Sequence, residues 1–334
     1  MLSRDANSLY WMSRYIERAE NLARLIDVAD QSLLDSATSA SEQFAQFWRP
    51  VLVAASQDIL FSELSNVQSG LDVARFFTFS PENPDSIRTC VATARENARM
   101  VRDQISDELW RDLNSLYLFL HSSDAEDEWG RSPQRFYDRI RKSSLLFQGI
   151  ADATIPHHEG WHFMRLGRYL ERADKTSRIL DIKNHVPTEY GSKPAISWNT
   201  ILHCCSAKSA HRQASGSSVT AESVAQLLVF SRDFPRSIRS CIGTLDDSLH
   251  AISGVAPGQY SNEPERLTGG TLARLNFSSH AEAFDRGLSR FLDDLQLQFN
   301  AIGQSIFETY VLLPAEITSA PQLAGDSFQI QQQQ

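Results

Sequence analysis

Cysteine is scarce: Cys90, Cys204, Cys205 and Cys241 are the only four in 334 residues, and none is paired at C-x-x-C spacing. So few thiols argue against a disulfide framework, a structural zinc site or a redox pair, and they read as reduced residues of a core. Glycine and proline are also sparse, at 15 and 12, and no sustained period-two alternation bounded by glycine turns occurs. A chain of many short strands is thereby disfavoured. There is no basic excess either. With a formal net charge of -9, neither nucleic acid nor an anionic membrane is an expected partner. No run of ~18 apolar residues marks a membrane span, and the N-terminus opens into a helix carrying Arg4, Asp5, Arg14 and Glu17 instead of an apolar leader. A cytoplasmic location is the default expectation. No glycine-rich phosphate loop, nucleophile elbow or Cys/His dyad is visible, so no cofactor is expected and no catalytic residue can be named.

What the chain does contain is repetition. Arg14-Tyr15-Ile16-Glu17-Arg18-Ala19-Glu20 returns as Arg168-Tyr169-Leu170-Glu171-Arg172-Ala173-Asp174, 154 residues later. At ~100° per residue, Leu9, Met12, Tyr15, Ile16, Ala19, Leu22, Ala23 and Ile26 share one arc, with Arg14, Glu17, Arg18, Glu20, Asn21 and Arg24 opposite. The second copy has the same pattern. Further matches follow at nearly constant spacing: Trp48 with Trp198 at 150, Pro84 and Cys90 with Pro235 and Cys241 at 151, and Phe147 with Phe299 at 152. An internal duplication is the economical reading.

The expected fold is all-α, with a first helical repeat over residues 1–155, a second over 156–313 and a disordered tail over 314–334. Its 42% hydrophobic content is sufficient for a shared core. Helices are expected near 4–35, 42–61, 64–77, 85–120 and 132–154, then 158–185, 195–212, 219–231, 235–253, 271–278 and 280–313. Turns are expected at Ser80–Pro84 and over the polar run 122–131, and the least regular stretch is Gly254 to Gly270. Pro84 and Pro235 are placed near the first position of a helix.

Three readings compete for the Arg/Glu motifs. The first is a solvated helix face laced with i,i+3 and i,i+4 pairs. The second is a repeat interface, in which Glu17 pairs with Arg172 and Glu171 with Arg18. The third is an anion site in which Arg14, Arg18, Arg168 and Arg172 converge, with Arg95 and Arg99 of another helix as the best partners. Separately, His158-Glu159-Gly160-Trp161-His162 matches H-E-x-x-H, in which two histidines one turn apart bind zinc and the glutamate activates water. A third ligand at known spacing is missing, and the motif falls in a first helical turn after Pro156, so no metal is expected. The expected function is either a noncatalytic helical partner or an enzyme built on a buried Arg/Glu anion pocket, with a zinc hydrolase the weakest alternative.

The opening stretch, Leu2-Ser3-Arg4 through Leu9-Tyr10-Trp11-Met12-Ser13-Arg14-Tyr15-Ile16-Glu17-Arg18-Ala19-Glu20-Asn21, resembles the start of the bacterial alpha-E domain family. The resemblance continues through Ala94-Arg95-Glu96-Asn97-Ala98-Arg99, Gly167 to Asp174, Trp198 with Cys205-Ser206-Ala207, and Phe234-Pro235-Arg236-Ser237-Ile238. It implies a helical fold and two expected partners, a circularly permuted ATP-grasp ligase and a transglutaminase-like peptidase. It therefore implies an accessory or substrate-presenting role in peptide (amide) ligation or tagging, without supplying a reaction for this chain.

Overall fold

In the computed structural model, the described residues are 1–34, 39–64, 69–185, 196–278 and 287–312, and among them every regular element is helical. The longer helices are α1 (Ser3–Leu34), α2 (Gly70–Phe79), α3 (Ile87–Met100), α4 (Asp107–Leu120), α5 (Ser123–Arg131), α6 (Pro133–Thr154), α7 (Glu159–Asp181), α8 (Ile238–Ser253), α9 (Glu263–Phe277) and α10 (Leu288–Phe307). Two of them form the axis. α1 and α7 pack on each other along their length, α3 and α6 cover α1, and α8 and α10 cover α7. The central pair approaches closely because Gly167 faces the backbone of Tyr10: a Cβ built there would lie 2.1 Å from the Tyr10 carbonyl oxygen.

Local details recur at the offsets read from the sequence. Ser56 and Ser206, 150 apart, are the two non-glycine residues with positive φ among those described, at 57° and 52°. The same backbone bonds surround them: Ser56 N donates to Val53 O and Gln57 N to Leu52 O, as Ser206 N does to His203 O and Ala207 N to Leu202 O. At an offset of 151, Ser86 and Ser237 cap α3 and α8 by accepting from Thr89 N and Ser240 N. Arg88 and Arg239 donate to the Phe79 and Phe230 carbonyls.

Several expected boundaries move. The helix expected over 85–120 is two, because Val101 leaves the helical region and Ser106 caps α4 through Leu109 N. Those expected over 42–61 and 195–212 are broken at the Ser56 and Ser206 corners. The polar run 122–131 is no turn but α5, held inward by buried Ala125 and by Trp129, whose indole N–H donates to Tyr137 Oη at 2.9 Å. The irregular stretch from Gly254 ends at Asn262, whose side chain accepts from Glu265 N and starts α9, with Pro264 in its first turn. Pro84 and Pro235 precede the serine caps by two residues, outside the helices. The tail expected to be disordered, 314–334, lies outside the described residues.

Candidate functional site

The polar face of α1 is not solvated. Glu17, Glu20, Asn21 and Arg24 are 1%, 2%, 5% and 1% exposed, and Glu171 is 0%. The surface-helix reading therefore fails: partner helices, not water, cover these groups. Buried charges of this kind persist only with partners in good geometry, and each carboxylate here is gripped by an arginine from the other half. Arg172 donates to Glu17 through two parallel bonds, Nε to Oε1 and Nη2 to Oε2, both 2.8 Å. Arg18 does the same to Glu171, at 2.7 and 3.1 Å. Such forked pairs fix direction as well as charge.

The surroundings of the two carboxylates then diverge. Glu171 takes a second arginine, Arg14, whose Nε donates to Oε2 at 2.8 Å, while Arg18 reaches on to Asp85. Glu17 receives instead Arg236 at 3.2 Å and the Gln148 amide at 3.2 Å, and Arg236 also bonds Glu20 at 3.0 Å. Asp85 and Arg236 follow Pro84 and Pro235, so a charge is reversed at matched positions of the two halves. Further out, the i,i+4 pairs Glu20–Arg24 and Asp174–Arg178 recur at an offset of 154. Arg24 donates to the Cys204 carbonyl and Arg178 to Ser56 Oγ, so each ties one half to the serine corner of the other.

Electrostatics follow the contacts. Burial by itself would raise the pKa of Glu17, but Arg172, Arg236 and Arg24 outweigh it and hold the carboxyl at about 2. Burial opposes ionisation of Glu171 too, and Arg18, Arg14 and Lys175 overcome it, keeping that carboxyl well below its ordinary range. Two ion-pair chains result. One joins Arg24, Arg172 and Arg236 to Glu17 and Glu20. The other joins Arg14, Arg18, Lys175 and Arg178 to Glu171, Asp85 and Asp174. Each has one more cation than carboxylate, inside a protein of net charge -9.

Other candidate residues lie elsewhere. Arg95 and Arg99 do not join the motif: α3 turns Ile87, Cys90, Val91, Ala94 and Ala98 inward, which leaves the arginines on its outer side. Arg95 donates to Asn114 at 2.9 Å and lies over Trp110 and Tyr117, while Arg99 is 63% exposed and pairs with Glu96. Arg168, the counterpart of Arg14, does not reach Glu17. Its Nε is buried without a hydrogen-bond partner among the described residues, and Nη2 stands 3.6 Å from Asp152.

The H-E-x-x-H match lacks its geometry. His158 is an exposed N-cap residue with extended backbone, φ −98° and ψ −168°, so it shares no helix face with His162. The Glu159 carboxylate is held by the Met1 ammonium at 2.8 Å. Among the described residues, no group of three or more His, Cys, Asp or Glu is placed to hold a metal ion. All four thiols are free and buried. Burial pushes Cys205 up to about 11 and Cys241 to about 12, which removes thiolate character at neutral pH.

Two of the cavities beside the crossing of α1 and α7 occupy matched positions. One, of about 450 Å³, lies among α1, α7 and α10 and is lined by Asn7, Tyr10, Trp11 and Arg14, by Leu170 and Asp174, and by Phe299, Asn300, Gly303 and Gln304. Phe163, Phe307 and Tyr310 complete its walls. The other holds about 10 Å³, room for roughly one water, and lies among α7, α1 and α6. Its lining includes Trp161, Met164, Arg165 and Arg168, with Ile16 and with Phe147, Gln148, Ala151 and Asp152. These are the positions expected from offsets of 154 for the central helices and 152 for the outer ones. Nothing in the sequence singled out Asn7 or Gly303; the visible signal was their contrast with Trp161 and Ala151 at matched positions.

A family described as a predicted alpha-helical domain with a conserved ER motif matches residues 1–311. Glu17-Arg18 and Glu171-Arg172 are such pairs. Two uncharacterized proteins, Mb2597 of Mycobacterium bovis and Rv2567 of Mycobacterium tuberculosis, are 27% and 26% identical over 349 residues, covering 96% of this chain. The chain spans only 37% of the length of these relatives. No solved structure matches it.

Proposed function

The chain belongs to the Alpha-E family, and from that premise we propose that it is a noncatalytic, accessory or substrate-presenting partner of an ATP-grasp amide ligase, built from two copies of one helical unit over 1–155 and 156–313. The observation that carries this reading is the closure of the ER motifs on each other. Glu17 and Glu171, the most chemically loaded groups of the chain, are spent on Arg172 and Arg18. A carboxylate held ionised under several guanidinium groups is a poor general base, because its proton affinity is depressed far below neutral pH. Charge in this arrangement sets the register of two helices and leaves the outer surfaces to recognise partners. The partners proposed are the circularly permuted ligase and the transglutaminase-like peptidase that the resemblance implies.

The test is co-purification of the chain with a circularly permuted ATP-grasp ligase, together with assay of each alone. Association, with amide formation that needs the ligase and is altered by this chain, supports the reading. Turnover by the isolated chain would favour an enzyme using an Arg/Glu pocket instead.

A further inference from the structure

We propose that the cavity of about 450 Å³ among α1, α7 and α10 is a binding site for the α-carboxylate end of an amino acid or short peptide whose last side chain is apolar or aromatic. Its volume is that of a small-molecule site, and its counterpart across the helix crossing holds about 10 Å³. The difference lies in the lining. Asn7 stands where the other half has Trp161, and Gly303 where it has Ala151, so one of two matched spaces is filled by an indole while the other stays open.

Arg14 supplies the carboxylate recognition. Its Nε and Nη2 are turned to Glu171 and its Nη1 donates to Tyr10 Oη at 3.0 Å. Of five guanidinium N–H groups, one on each terminal nitrogen has no partner among the described residues. Trp11 and Tyr10 lie beside the guanidinium, 4.9 and 5.5 Å from their ring centroids, which orients it. Nη1 is 3.8 Å from the Cβ position at Gly303, on the cavity wall.

The surplus cation of its ion-pair chain favours an anion at this place. Asp174 also lines the cavity, but Lys175 and Arg178 hold its carboxylate. Asn7 and Asn300 have no side-chain partner among the described residues, so both can bond a peptide group, and Phe163, Phe307 and Tyr310 face the apolar end. This inference rests on the cavity alone; a ligase can bind the protein whether or not the cavity is occupied.

The experiment is isothermal titration of the full chain with N-acetyl-phenylalanine, N-acetyl-phenylalaninamide and inorganic phosphate. Saturable binding of the acid is expected, with the amide weaker by at least about tenfold because it lacks the charge-assisted pair. Asn7→Trp, which copies the filled half, and Gly303→Leu should each abolish binding while far-UV circular dichroism and the unfolding midpoint stay near wild type. If one variant fails to fold, the other decides. No saturable binding of the acid, equal binding of acid and amide, phosphate binding as tightly as the acid, or undiminished binding by a folded cavity-filled variant overturns the proposal.

Discussion

Glu17 and Glu171 hold the same place in two copies of one sequence motif, yet their surroundings differ. Around Glu17 the space is closed by Arg172, Arg236 and Gln148, and the adjoining cavity is filled by Trp161. Around Glu171 the second arginine is Arg14, which borders an open cavity. The forked arginine pairs are common to both sides and hold the two helices together; what differs is whether the second arginine, Arg236 or Arg14, closes the space or faces it. Structure is therefore concentrated in the symmetric part of the network and room for a ligand in the asymmetric part.

Removing a carboxylate should have the largest effect on either side. Glu171→Ala leaves Arg14, Arg18 and Lys175 facing one another, and Glu17→Ala strands Arg172 and leaves Arg236 to Glu20 alone; each is expected to cost about 3–5 kcal/mol. Urea unfolding measures this. Losses below about 1 kcal/mol would mean that water reaches these groups.

Next in size is Gly167→Ala. Its methyl would meet the Tyr10 carbonyl at 2.1 Å, so the central helices must separate, at a cost of about 1–3 kcal/mol or more. Gly303→Ala, also inside a helix, meets only ordinary contacts from 3.4 Å outward, and should stabilise by about 0.5–1 kcal/mol. Thermal unfolding of the two variants side by side compares the closed crossing with the open cavity.

Acid should distinguish paired from unpaired carboxylates. The Glu17 carboxyl is depressed to about 2 in the folded state against an ordinary 4.5, so the unfolded chain binds its proton first. Its stabilising contribution is complete above about pH 4.5 and lost as pH falls toward 2. Asp30 has the opposite sign: burial, with Asp27 adding to it, raises it to about 6 from 3.8. Its contribution is present below pH 3.8 and lost as pH rises through 6, so Asp30→Asn should gain about 1 kcal/mol at pH 7 and nothing at pH 3. Melting temperatures across pH 3 to 7 for wild type, Glu17→Gln and Asp30→Asn check both signs. Smallest of all is Arg99→Ala. Its pair with Glu96 is exposed on both sides, and a change above about 0.5 kcal/mol would be unexpected.

Helicity was readable from the residues alone, because apolar positions recur with a 3.6-residue period and strand patterning is missing. So was the double occurrence of one Arg-Glu motif, since identity at a fixed spacing needs no coordinates. Boundaries were less legible wherever a contact between helices overrode local pattern. The polar stretch 122–131 is a helix because Trp129 finds Tyr137, a bond no local signal announces. What the polar side of α1 faces came from the packing of the helices. Periodicity tells which residues lie on that side, but a charged face is satisfied equally by water or by opposite charges ~150 residues away, and only packing chooses between them. The same limit hid the separation of Arg95 and Arg99 from the network, the loss of Arg168 from Glu17, and the fact that Asn7 and Gly303 leave open a space that Trp161 and Ala151 fill. Volume at a contact depends on both surfaces that meet there, and a linear pattern describes one surface at a time.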